Sequence, residues 1–204
     1  QESHLNRLAT LATSSLPVGA ILNRYLEGFS KNIPLARIDG VVQQLADRMV
    51  EAGHFVDVSL NEAEVEFTQQ DRLDAIDQAC YALGVGVGPA DLTNSLNLVW
   101  TSAENGFNWS SPLVTISMLV SAGVASNQSM DLLHTAWNHG YRGRELELLG
   151  KAVVGSEQSS EAANMVVDLL LADHTMDAVF ENLETLRGSP KSGFTPGEVH
   201  DPPS

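Results

Sequence analysis

The densest set of chemically capable side chains lies in one stretch, His134-Thr135-Ala136-Trp137-Asn138-His139-Gly140-Tyr141-Arg142-Gly143-Arg144-Glu145. Two imidazoles beside a carboxylate are the raw material of a metal site or an acid–base pair. A helix brings two metal-binding histidines onto one face at spacing i, i+4. His134 and His139 are five apart, about 140° around a helix of 3.6 residues per turn, so they diverge. Gly140 has the character of a helix end, and a histidine in a last turn interacts well with the helix dipole. A second group is aromatic. Trp100, Phe107 and Trp109 flank Asn105-Gly106, where they either anchor a ligand or staple the start of a helix near Pro112, with Ser110 or Ser111 as its cap. His134, Trp137, His139 and Tyr141, with Trp100, Phe107 and Trp109, are the candidate ligand-binding residues.

Other constellations fail on context. Gly84, Gly86 and Gly88 follow a helical pattern rather than a strand and precede Pro89, with no Gly-Lys-Ser/Thr ending. That excludes a phosphate loop and leaves Gly84 as a helix-ending residue. Glu62, Glu64, Glu66, Asp71, Asp74 and Asp77 lack the glycine turn of a calcium loop and read as a solvated face. Cys80 stands in an apolar helical stripe with no adjacent histidine or cation, the position of a small core hydrophobe. No catalytic residue, metal or cofactor is expected.

Elements must carry these residues, and apolar spacing supplies them. Leu22, Tyr25, Leu26 and Phe29 form one helical face; Ile38, Val41, Val42, Leu45 and Met49 form the next, and the pattern continues to Val179, Leu183 and Leu186. Two turns repeat. Ile33-Pro34-Leu35-Ala36-Arg37-Ile38 parallels Val87-Gly88-Pro89-Ala90-Asp91-Leu92, with an apolar residue five positions after the turn hydrophobe. Val124 with Ser126 and Met130, and His174-Thr175-Met176, are degenerate versions in which Ser or Thr serves as N-cap. The expected architecture is all-α: four irregular helix-turn-helix units at 17–52, 71–104, 112–152 and 159–187, stacked as a short α-solenoid or a compact bundle. They fill a helical-repeat domain of residues 1–188, followed by a flexible Pro-rich tail at 189–204. Within His54–Leu60, alternating Val56, Val58 and Leu60 suggest an extended loop.

The stretch Leu26-Glu27-Gly28-Phe29-Ser30-Lys31-Asn32-Ile33-Pro34-Leu35-Ala36-Arg37-Ile38 resembles a recurrent L-x-G-x-x-K-x-[VI]-P-x-x-[RK]-I segment of uncharacterised exported bacterial helical proteins. The resemblance covers about one unit. It implies a periplasmic or exported location and transfers no active residues.

Composition narrows the function classes. Of the 204 residues, 26 are acidic and 11 basic, a formal charge of −15 that repels phosphate backbones and anionic lipids. Nucleic acid is therefore not an expected partner, and no 18-residue apolar run marks a membrane segment. The chain begins at Gln1 rather than Met, consistent with a removed export signal. Three readings are open: a non-enzymatic helical-repeat protein that binds a protein or peptide partner, possible as a homodimer; a carrier enclosing a small apolar ligand between helices; and an enzyme centred on His134, His139 and Glu145.

Overall fold

A computed structural model describes Thr13 and residues 16–63, 67–104 and 109–186, with the side chains of 102–104 left aside. Glu64, Glu66, Asn105-Gly106, Phe107 and the tail at 189–204 lie outside the described residues. Within them the chain is all helical: α1 Gly19–Ser30, α2 Leu35–Glu62, α3 Gln69–Val85, α4 Pro89–Glu104, α5 Ser111–Ser121, α6 Ser126–Asn138, α7 Arg144–Val154, α8 Ser159–Leu171 and α9 Met176–Leu186.

One turn closes five of the helices. An αL residue is followed by a residue whose N–H donates back to the carbonyl five positions earlier, at 3.0–3.1 Å: Ile33 to Gly28, Val87 to Ala82, Val124 to Leu119, Tyr141 to Ala136 and His174 to Leu169. The left-handed residues are Gly86, Gly123 and Gly140 in the middle of the chain, and Asn32 and Asp173 at the outer turns. Five positions after each turn residue comes a buried side chain: Ile38, Leu92, Ser129, Leu146 and Val179. The parallel between Ile33–Ile38 and Val87–Leu92 is therefore a five-fold repeat. Gly28 also has a role in the segment, because a Cβ there would stand 2.6 Å from the Ile38 side chain. The glycine lets α1 approach α2.

Several local expectations are corrected. Residues 54–60 are helical, inside a 28-residue α2, rather than an extended loop. Met49, Ala52, Val56 and Ser59 are all buried at helical spacing, while Val58 is exposed; the alternation is incidental. The residue that ends α3 is Gly86, at φ +102°, and not Gly84, which lies within the helix beneath the Arg48 guanidinium. Ser126 does not cap α6. Its hydroxyl accepts from Gly88 N–H at 2.9 Å and donates to Asp91, tying two successive turns together. Thr175 does cap, accepting from Ala178 N–H at 3.4 Å. The segment 112–152 carries three helices rather than a pair.

Among the described residues, each helix packs substantially only on helices one or two places away in the chain: α2 on α3 and α4, α3 on α5, α4 on α6, α5 on α7, α6 on α8, α7 on α9. α5 carries no charged residue and packs on α3, α4, α6 and α7. Buried Gly150 of α7 admits Thr115 of α5, whose Cγ2 lies 3.0 Å from the position of a Cβ. Arg72 clasps Asp57 through two bonds of 2.7 and 2.8 Å, joining α3 to α2.

Candidate functional site

The apolar stripe of α6, including Met130, Leu133 and Trp137, turns inward and is buried. The opposite stripe is Asn127, Asp131, His134 and Asn138, at i, i+4, i+7 and i+11, and all four are exposed. On α4 the exposed row is Asn94, Asn97 and Thr101, and on α8 it includes Asn164 and Asp168. Because α6 packs on both α4 and α8, the rows adjoin. A groove of about 400 Å³ lies among these helices, lined by Asn94 of α4, by Met130, Asp131, His134, Thr135 and Asn138 of α6, and by Val167 of α8.

The groove has a consistent chemistry. Met130 and Val167 give it apolar lining, and Met130 Sδ accepts from Ser95 Oγ at 3.4 Å. Carboxamides give each Asn both donors and an acceptor. Gln128 Nε2 donates to Asn164 Oδ1 at 2.6 Å and to Ser160 O at 2.7 Å, which holds α6 to α8. α4, α6 and α8 contain no Lys or Arg, yet carry Asp91, Glu104, Asp131, Glu161 and Asp168. In the groove itself one carboxylate, Asp131, stands with the amides of Asn94 and Asn138 and with His134.

His139 opens onto a different cleft, of about 360 Å³, between the turns at Gly140 and Asp173; Tyr141, Glu145, His174 and Met176 also line it. Its Nδ1 lies 2.8 Å from Thr135 O, which makes that nitrogen the protonated donor, and Nε2 faces Asp173 at 3.7 Å. The Asp173 side chain is 94% exposed. A His–carboxylate pair in open water lacks the water exclusion that acid–base catalysis draws on. Among the described residues, no group of three or more His, Cys, Asp or Glu is placed to hold a metal.

The structure thus separates the candidate residues. His134 and His139 belong to different clefts. Trp137 is buried, with the Arg142 guanidinium carbon 3.7 Å above its ring, and Arg142 also donates to the Trp137 and Tyr141 carbonyls at the end of α6. Burial lowers the Arg142 pKa. Tyr141 is buried beneath the second cleft, and desolvation pushes its phenol up. Trp100 is core at 4% exposure, packed edge-on against Phe67 at 4.7 Å; half-buried Trp109 meets the same ring at 6.3 Å. These two tryptophans brace the start of α3 and α5 instead of presenting a loop surface. Sequence reasoning missed Asn94 and Val167 in the groove and Asp173 and His174 in the cleft. The available signal was the run of Asn on outward stripes, i, i+3 or i+4 apart, without a basic residue.

No family model matches the chain, and the comparisons with curated proteins and with solved structures found no match either.

Proposed function

We propose that this chain is a non-enzymatic helical-repeat interaction protein that holds an extended, cationic segment of a partner protein in the groove across α4, α6 and α8. The observation that carries the reading is the groove itself: an exposed groove where three helices meet, lined by the carboxylate of Asp131, the amides of Asn94 and Asn138, His134 and the apolar Met130 and Val167, with no Lys or Arg. Side-chain amides suit an extended backbone, since each can pair with a peptide N–H and C=O whatever side chains flank them. Carboxylates favour Lys and Arg in the bound segment and raise its association rate. Packing restricted to helices one or two places apart supports the stacked-solenoid form of the fold, which gives such proteins their long binding faces. The exported or periplasmic setting belongs to this proposal, on the resemblance at Leu26–Ile38, and cell fractionation tests it. The carrier reading has less support. The Leu and Met stripes it would assign to a cavity lining, such as Leu92, Leu96, Met49 and Leu133, are packed into the core.

Selection of a random peptide display library on the immobilised chain tests the proposal. Enriched peptides are expected to be rich in Lys and Arg, to bind more weakly as salt rises, and to lose binding to an Asn94→Ala, Asp131→Asn, Asn138→Ala variant. All three residues are exposed, so the variant keeps its fold. Peptides without a basic bias, or equal binding to the variant, would overturn the groove assignment.

A further inference from the structure

Helix α1 has two apolar faces, and the fold uses one. Ile21 and Gly28 are buried against the rest of the molecule, with Tyr25 half-buried beside them and its hydroxyl donating to Asp39 at 3.2 Å. Leu22, Leu26 and Phe29 recur at i, i+4 and i+7, within about 60° of one another around the helix, and are 45%, 66% and 55% exposed. A contiguous apolar stripe that spans a whole helix is unusual on a free surface.

We propose that a second copy of this chain covers the stripe, with the two α1 helices packed antiparallel about a two-fold axis near Leu26. Charge argues for that occupant. A chain of net charge −15 repels its own kind over most of its surface. Residues 16–42 depart from that balance, with three cations, Arg24, Lys31 and Arg37, against two anions, Glu27 and Asp39. Arg24 and Lys31 are moreover engaged on the far side of α1, where both pair with Glu27 at 2.8 and 2.7 Å. The stripe's exposed flank is formed by Asn23 and Ser30, which are uncharged. Two copies can meet here without burying or opposing charge.

Geometry argues the same way. An isologous contact needs a surface complementary to itself. With the axis at Leu26, that residue meets Leu26 of the partner subunit, and Leu22 meets Phe29 of the partner subunit. A small side chain thus opposes a large one at each end, with the flexible pair in the middle. The chain leading into α1 does not compete for the stripe at Leu16, whose Cδ2 lies 3.0 Å from the position of a Cβ at Gly53 of α2.

The test uses the full 204-residue chain and single cysteines. Cys80 is buried and stays out of the reaction. Leu26→Cys is expected to form a disulfide-linked dimer on mild oxidation. Leu22→Cys alone is not, but a mixture of Leu22→Cys and Phe29→Cys chains is. By sedimentation, the unaltered chain is expected to be dimeric at about 100 μM, a concentration suited to the weak end of interface strengths. Leu26→Glu is expected to be monomeric with an unchanged helical spectrum. A monomeric unaltered chain at that concentration would overturn the proposal in favour of a different protein on the stripe. Equal crosslinking by Leu22→Cys and Leu26→Cys would overturn the antiparallel arrangement.

Discussion

The turns in the middle of this molecule differ from those at its ends, although all five share one hydrogen-bond pattern. At the inner turns the left-handed residue is Gly86, Gly123 or Gly140, and the residue after it, Val87, Val124 or Tyr141, is buried. At the outer turns the left-handed residue is Asn32 or Asp173, and the next residue, Ile33 or His174, is exposed. An inner turn is covered by neighbouring helices, so its conformation has to be cheap and its side chain apolar. Among the described helices, an outer turn has neighbours on one side only. It tolerates a residue that adopts φ > 0 at some cost, and its following side chain remains free for other uses. The same backbone device thus serves as a structural joint inside and as a surface feature at the rims.

The largest test of this contrast is Trp137→Ala, which strips the inner turn at Gly140 of the ring beneath Arg142. Loss of about 3–5 kcal/mol in urea unfolding is expected; a near-neutral result would mean that this turn is held no better than the outer ones. Next, Gly86→Ala and Gly140→Ala place a Cβ at φ +102° and +88° and should each cost about 1–2 kcal/mol. If either is tolerated, glycine is not what fixes the inner turns. The outer turns should respond with the opposite sign. Asn32→Gly and Asp173→Gly relieve the left-handed strain and are expected to change stability by less than about 1 kcal/mol, in the stabilising direction. Thermal unfolding of the two variants reads this directly, and a clear loss would show that the Asn and Asp side chains hold those turns. Smallest of all, combined His134→Ala and His139→Ala should shift stability by under about 0.5 kcal/mol, as befits two exposed positions. A larger effect would point to a shared role that their separate clefts do not provide.

The helices were legible because a 3.6-residue period survives even where individual residues mislead. Two turns were legible in full because Ile33–Ile38 and Val87–Leu92 keep both the turn hydrophobe and its buried partner, and those at Val124 and His174 were legible as degenerate versions through Ser126 and Thr175. The turn at Gly140 escaped association with them since its hydrophobe is Tyr141 and no proline follows. The cap of α3 is also encoded locally: Thr68 and Asp71 form a capping box, with Asp71 N–H donating to Thr68 Oγ1 at 3.1 Å and Thr68 N–H to Asp71 at 3.1 Å. That places one member of the acidic stretch in a structural role. What periodicity does not encode is coverage. Leu22, Tyr25, Leu26 and Phe29 read as a single core face, yet three of the four are exposed, because whether a stripe is buried depends on which helix stacks beside it. The groove was hidden for a related reason. Asn94, His134 and Val167 share a site only through the stacking of α4, α6 and α8, and an asparagine announces no chemistry in isolation.

The restriction of packing to helices one or two places apart has a kinetic side. Among the described helices no substantial contact joins the first to the last, so forming them closes no long loop and contact order stays low. Assembly can begin around uncharged α5, which touches two neighbours on each side, and spread outward one helix at a time. Opening should run in reverse, from α1 and α9 inward. Amide hydrogen exchange would display this as protection that peaks in α5 and declines toward both rims, including the helix whose apolar stripe faces outward.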